Sequence, residues 1–316
     1  MVAPGEHVQS EGFVVRHTGM YRALWEESEL AARKDQAWRR LQVCDLCAHE
    51  CGVDRLAGER GVCRADDTVQ ISSYGPHFGE EDPLVGTHGS GTIFFTGCNL
   101  RCVFCQNWDI SQMRVGHTVS VSELADIMVE LQDMRCHNIN FVTPTHYMPH
   151  ILDALVIACE RGLELPLAYN CGGYESLAAL KLLDGVIDIY MPDVKYADPD
   201  TGLRYSHAKD YPRVVKAALK EMHRQVGDLQ IDEDGIAWRG LLVRHLVLPG
   251  GLAGTAEIVR FIAEEISPDT YINIMAQYWP EYRAREHPPL DRPITRREHE
   301  EAVRLAREAG LHRFAR

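Results

Sequence analysis

From about residue 90 onward, short apolar runs of strand length alternate with stretches of helical period, and this alternation constrains the fold more than any other feature of the 316 residues. Six runs read as strands: TIFFT from Thr92, INFV from Ile139, LPLAY from Leu165, IDIYM from Ile187, LVRHLVL from Leu242 and YINIMA from Tyr271. Between them, Ser120 and Glu123 form a capping box ahead of Leu124, Ile127, Met128 and Leu131, which share one helical face. Further helices are expected at Met148 to Glu160, Glu175 to Leu183, Pro212 to Val226 and Thr255 to Ile266, with Pro212 in a first-turn position. The segment GDLQIDEDGIAWRG reads as a β-hairpin turning at Asp234 and Gly235.

Strand, helix and strand in succession make a parallel sheet. Six such units fall short of the eight that close a barrel, so the expected fold is α/β, an open partial (β/α)6 barrel spanning residues 86–285. Residues 1–85 hold a helix over 20–41 and a cysteine-rich segment, and residues 286–316 form a helical extension opened by a capping box at Thr295 and Glu298. Parallel barrels collect their chemistry at the C-terminal ends of the strands, so functional residues are sought there.

Composition narrows the function. A net charge of -13 argues against a surface built to neutralise phosphates, so nucleic acid is not an expected partner. No stretch approaches eighteen uninterrupted apolar residues, and the start MVAPGEHVQSEGF lacks a basic segment followed by an apolar one, so the expectation is a cytoplasmic protein without a membrane partner. Ten cysteines in such a chain point to metal rather than disulfides, and seven of them lie between Cys44 and Cys105.

The segment GCNLRCVFCQNW begins where the first strand ends and spaces Cys98, Cys102 and Cys105 as C-x3-C-x2-C. Three thiolates on one tight loop ligate three irons of a cubane and leave the fourth iron open. The spacing alone also admits a zinc site or part of a ferredoxin-like module. The preceding strand, the aromatic Phe104 before the third cysteine and the βα-type units that follow shift the reading toward the open-iron cluster.

A C-x3-C-x-aromatic-C loop after the first strand of a partial barrel resembles the radical S-adenosylmethionine (SAM) superfamily. Within it the chain is similar to the glycyl radical enzyme activases, and over nearly its whole length to the pyruvate formate-lyase activating enzyme-related proteins. The resemblance implies an oxidoreductase with a 4Fe-4S cluster that cleaves SAM reductively to a 5'-deoxyadenosyl radical, with an electron donor such as flavodoxin or ferredoxin as partner. That radical takes a hydrogen atom from a protein or peptide substrate, as an activase does, or from a small molecule. An iron-sulfur electron carrier or binding protein is the reading from another class, and it needs neither an open iron nor polar strand ends. No catalytic hydrogen-transfer residue is assigned.

The other strand ends fit this plan. Thr143 and Thr145, in TPTH, stand where many members carry a Gly-Gly-Glu run that binds the SAM amino group. Met191, Asp193 and Lys195 match the activases' Met-x-Asp-x-Lys pattern, which implies that Lys195 pairs with the SAM carboxylate as a point charge. Asn170 and Cys171 replace the acidic residue and threonine with which the activases complete a monovalent cation site, so only Met191 and Asp193 remain of it. Arg244, in VRHLVLPG, matches an activase arginine, and Gln277 falls where the activases place a histidine near SAM. His146 is a candidate substrate contact, His245 a core histidine, Cys136 and Cys159 core thiols, and Cys171 a pocket wall.

In the N-terminal segment Cys44, Cys47, Cys51 and Cys63 are spaced C-x2-C-x3-C-x11-C, a complete ligand set for zinc or for a second iron-sulfur cluster. Zinc is preferred, because the short glycine-flanked scaffold suits a structural site; His49 is a possible substitute ligand.

Overall fold

The computed structural model describes residues 16–315; the first residues of the expected 1–85 segment lie outside them. Ten strands are present among these residues: β1 (Val69–His77), β2 (Ser90–Phe95), β3 (His117–Val119), β4 (Ile139–Val142), β5 (Leu167–Cys171), β6 (Ile189–Pro192), β7 (Gln230–Ile231), β8 (Ala237–Leu246), β9 (Tyr271–Met275) and β10 (Arg313–Phe314). The helices are α1 (Tyr21–Glu26), α2 (Glu29–Arg39), α3 (Asp82–Val85), α4 (Trp108–Ser111), α5 (Val121–Asp133), α6 (Met148–Glu160), α7 (Leu177–Leu182), α8 (Pro199–Ser206), α9 (Tyr211–Val226), α10 (Thr255–Phe261) and α11 (Arg296–Glu308). The strands form one sheet in the order β10-β9-β8-β6-β5-β4-β2-β1-β3, with β7 paired to β8.

The six strands expected from the sequence are β2, β4, β5, β6, β8 and β9, adjacent in chain order and parallel throughout. Antiparallel β1 and β3 extend the β2 edge. They escape a sequence reading because β1, VQISSYGPH, carries a glycine, a proline and a register shift in place of clean alternation. The expected 20–41 helix breaks in two where Ser28 adopts φ 63°. The helix expected to run to Ile266 stops at Phe261 and continues as a π-helical turn.

Period-two alternation divides the sheet's faces. Ile93, Phe95, Ile139, Phe141, Leu167, Tyr169, Tyr190 and Val243 join the large core beneath the helices, and Ala168, Ile189, Met191 and Leu242 face a smaller core sealed by Leu84. The capping box at Ser120 starts α5 as expected, and its Leu124, Met128 and Leu131 are fully buried. Each such side chain contributes roughly 1.5–3 kcal/mol of apolar burial. Register then aligns the strand ends: Val142 lies opposite Asn170, Asn170 opposite Met191, and Arg244 opposite Asn273.

Asp188 ties the N-terminal helices to this sheet by accepting the backbone N–H groups of Met20 and Leu167, each at 2.8 Å. Burial pushes its carboxyl up to about 7 from an ordinary 3.8, against the pull of those two N–H donors. Because the folded state holds a proton that the unfolded chain has released, stability falls as pH rises through the window from about 4 to 7. The slope from this group approaches about 1.4 kcal/mol per pH unit. Urea midpoints of wild type should therefore drop more steeply between pH 5 and 7 than those of Asp188→Asn, and parallel slopes would refute the assignment.

Candidate active site

The loop after β2 is held from several sides. Gly97 has φ +79°, and a Cβ there would lie 2.9 Å from the Cys63 carbonyl oxygen, so the close approach of the N-terminal segment requires glycine. Val103 N–H donates to the carbonyl of Tyr205 on α8 at 2.9 Å. Each cysteine sulfur meets a donor: the N–H of Leu100 points to Cys98 Sγ at 3.4 Å, the Ser206 hydroxyl to Cys102 Sγ at 2.9 Å, and the Ser111 hydroxyl lies 3.1 Å from Cys105 Sγ. Burial pushes the Cys98 and Cys102 thiols up to about 11 and raises Cys105 as well, with Lys195 pulling all three the other way.

Facing this loop, the ends of β5, β6 and β8 assemble a buried ionic network. Arg244 donates through Nε to Asp193 at 2.8 Å, through Nη2 to Asn170 Oδ1 at 2.7 Å, and through Nη1 to Glu80 at 3.3 Å. Lys195 Nζ reaches the other Asp193 oxygen at 2.6 Å. Burial works against the Asp193 charge, but Arg244 and Lys195 outweigh it and hold the carboxyl below its usual range. Lys195 is likewise raised overall, Asp193 outweighing the cost of burial. Glu80, pushed up by burial and pulled down by Arg244, stands beside Glu81, which accepts from Asn273 Nδ2 at 2.8 Å.

A cavity of about 240 Å³ lies between loop and network, and its lining includes all three cysteines, Asp193, Lys195 and Arg244. Thr143, Asn170 and Gln277 also line it. Thr143 sits at φ 60°, its N–H donated to the Asn170 carbonyl at 2.8 Å. Thr145 does not line the cavity; it is buried, and its hydroxyl donates to Glu175 at 2.8 Å. Met191 packs in the smaller core and contributes no cavity surface. Cys171 borders the cavity at the strand end, but its thiol lies beside Glu175, whose buried carboxyl is pushed up to about 7.

His146 is also away from the cavity, with Nε2 on the Thr96 carbonyl at 2.8 Å, and burial lowers it to about 3. His245 bridges the Val194 carbonyl and the Thr255 hydroxyl as a core histidine, and Cys136 and Cys159 are buried thiols. Glu80 and Glu81 were missed by the sequence reading because they follow β1, an element without a strand-like pattern.

The N-terminal cysteine segment approaches the loop after β2: His49 Nε2 lies 2.7 Å from the Asn99 carbonyl oxygen, and Cys47 forms a backbone bridge with Glu175. All ten cysteines are unpaired. Among the described residues no three His, Cys, Asp or Glu side chains are gathered closely enough to hold a metal as they stand, which applies equally to the quartet and to Cys98, Cys102 and Cys105.

A family model of the radical SAM superfamily matches residues 92–231. An uncharacterised protein of Methanocaldococcus jannaschii, MJ0674, is 35% identical over 278 residues, covering 85% of this chain and 75% of that one. The chain belongs to the radical SAM superfamily. A second uncharacterised protein of the same organism, MJ0808, is 25% identical over 290 residues, covering 85% of this chain and 78% of its own length. Among solved structures, Streptococcus suis SuiB aligns with a TM-score of 0.46 at 15% identity, over 70% of this chain and 47% of that one. TYW1 with a lysine-pyruvate adduct bound aligns at 0.41 and 11% identity, over 69% and 73%.

Radical SAM membership implies a 4Fe-4S cluster and SAM, and the donor set fits them. Buried thiols this reluctant to ionise need a cation to become thiolates, and the donors aimed at their sulfurs suit iron-bound thiolate. Lys195 and Arg244 stand on the same cavity wall, both paired with Asp193. No helix among the described residues is long and apolar enough to cross a membrane. Removing Arg244 leaves Asp193 and Glu80 buried without their main partner, so Arg244→Ala should cost about 3–5 kcal/mol in chemical denaturation. Glu80→Gln, which keeps a hydrogen-bond acceptor, should cost less than about 1.5 kcal/mol; equal losses would show that the network does not hold the site.

Proposed function

We propose that this chain reductively cleaves SAM and passes the radical to a protein or peptide substrate, in the manner of an activating enzyme. The convergence of three cluster cysteines, Asp193, Lys195, Arg244 and Asn170 on one cavity carries the first part of this reading. A bound cluster and SAM would supply a 5'-deoxyadenosyl radical. The protein's part is to orient and to exclude water. Cys98, Cys102 and Cys105 hold the cluster, Lys195 meets the SAM carboxylate, and Asn170 and Arg244 set the positions of Asp193 and its neighbours.

The substrate reading rests on the rim. Trp108 stacks on Tyr282 with ring centroids 5.7 Å apart, and Trp279 is 54% exposed beside Tyr278, a residue of the cavity wall. Exposed aromatics around a mouth suit a polypeptide surface better than a small solute. The N-terminal quartet belongs to a structural metal, zinc in preference to a second cluster, that braces the cluster loop through His49 and Asn99. A flavodoxin- or ferredoxin-like protein would supply the electron.

Two measurements test this division. Cys102→Ala should abolish iron loading at the cluster with melting close to wild type, whereas Cys44→Ala should lose roughly 2 kcal/mol of stability and keep the iron. Equal stability losses would contradict it. In the presence of SAM and dithionite, a dialysed macromolecular extract of the source cells should stimulate 5'-deoxyadenosine formation more than the small-molecule fraction does. Stimulation confined to the small-molecule fraction would favour a metabolite substrate.

A further inference from the structure

At the opposite end of the parallel strands from the cluster loop, a second cavity of about 480 Å³ opens among the segments that precede β2, β4, β5 and β8. Its size falls within the roughly 300–1,000 Å³ of small-molecule sites. Parallel α/β folds place their chemistry at the C-terminal strand ends, so the radical site does not account for it.

The walls of this cavity are built from rings. His17 stacks on Trp238 with centroids 4.9 Å apart and planes within 10°, and its Nε2 lies 3.1 Å from Asp232. His88 and His137 meet edge to face at 5.4 Å. His137 Nε2 accepts the backbone N–H groups of Thr87 at 3.2 Å and His88 at 3.3 Å. A ring nitrogen that accepts carries no proton, so the proton of the neutral ring sits on Nδ1. Burial, reinforced by His88, holds His137 below its ordinary range and favours that neutral form. Its Nδ1–H has no hydrogen-bond partner among the described residues.

Carboxylates of Asp232 and Asp234 line the same cavity, and Arg16 pairs with Asp234. Gly86 keeps the wall open: a Cβ there would lie 2.6 Å from His137 Nε2 and 2.3 Å from Ile236 Cδ1. The histidines and carboxylates are not gathered as a metal-binding set among the described residues. What they offer is a stacked aromatic wall, the His137 Nδ1–H donor and carboxylate acceptors.

We propose that this cavity binds a planar, nitrogen-rich ring of the aminopurine class, lying against the His17–Trp238 stack, with a ring nitrogen accepting from His137 Nδ1 and an exocyclic amine donating to Asp234. A purely aliphatic ligand leaves the His137 donor unused, and a carboxylate could reach Arg16 only by displacing Asp234 from it. The proposal stands on this cavity alone and is independent of the radical chemistry.

Adenosine is the probe, titrated calorimetrically into cluster-loaded full-length protein under anaerobic conditions without SAM, which carries the same ring and would compete for the cavity. The expected result is saturable adenosine binding, weakened at least tenfold by Trp238→Ala and by His137→Leu, because aromatic stacking and the His137 N–H donor carry the interaction. Ile236→Phe, which adds a ring to the cavity wall, should also abolish it. SAM affinity should stay at the wild-type value in all three variants and each should unfold cooperatively, which excludes a folding defect. Absence of adenosine binding at millimolar concentration, or binding that none of the three substitutions changes, would overturn the proposal.

Discussion

Arg244 is the residue through which the strand ends are brought into one arrangement. Its three nitrogen donors reach Asp193 on the segment after β6, Asn170 on β5 and Glu80 on the segment after β1. All are poorly exposed, and a buried ion pair seldom adds net stability over well-packed apolar residues. Its consequence is geometric: with Asp193 shared between Arg244 and Lys195, the ammonium of Lys195 is fixed on the wall that faces the cluster cysteines. The parallel register makes this arrangement reachable, because Asp193 and Arg244 meet in a backbone bridge three residues beyond the last β6–β8 pair, Tyr190 and Leu241.

The cysteine loop depends on the same wall and on elements far away in sequence. Burial opposes ionisation of its thiols, and Lys195 works against that cost. Ser206 at the end of α8 and Ser111 at the end of α4 bring hydroxyls to two of the sulfurs. The N-terminal segment reaches the loop from behind, through the His49 contact with Asn99 and the close passage of Cys63 over Gly97. Cysteine loop, ionic network and N-terminal segment therefore form one connected unit.

Much of this was legible in the residues, for definite physical reasons. Six parallel strands follow from apolar runs bounded by helical periodicity, and both capping boxes appear where Ser120 and Thr295 precede glutamates by three positions. Asn170, Asp193, Lys195 and Arg244 were legible because strand ends are where such folds place chemistry, and all four line the cavity. Thr145 and Met191 stand two residues from cavity residues in the chain but turn their side chains elsewhere, Thr145 toward Glu175 and Met191 into the smaller core. Glu80 and Glu81 were illegible because their contacts with Arg244 and Asn273 span more than 160 residues and follow an irregular edge strand. Ser206 was illegible for a similar reason: a serine at a helix end has no local feature that tells of a sulfur 104 residues away.

The central claim, that these strand ends and cysteines form a working radical SAM centre, is tested most directly by product analysis. The protein would be reconstituted anaerobically with iron and sulfide, reduced with dithionite and given SAM. The account predicts 5'-deoxyadenosine and methionine in equal amounts. A protein with an intact cluster that forms neither would contradict it.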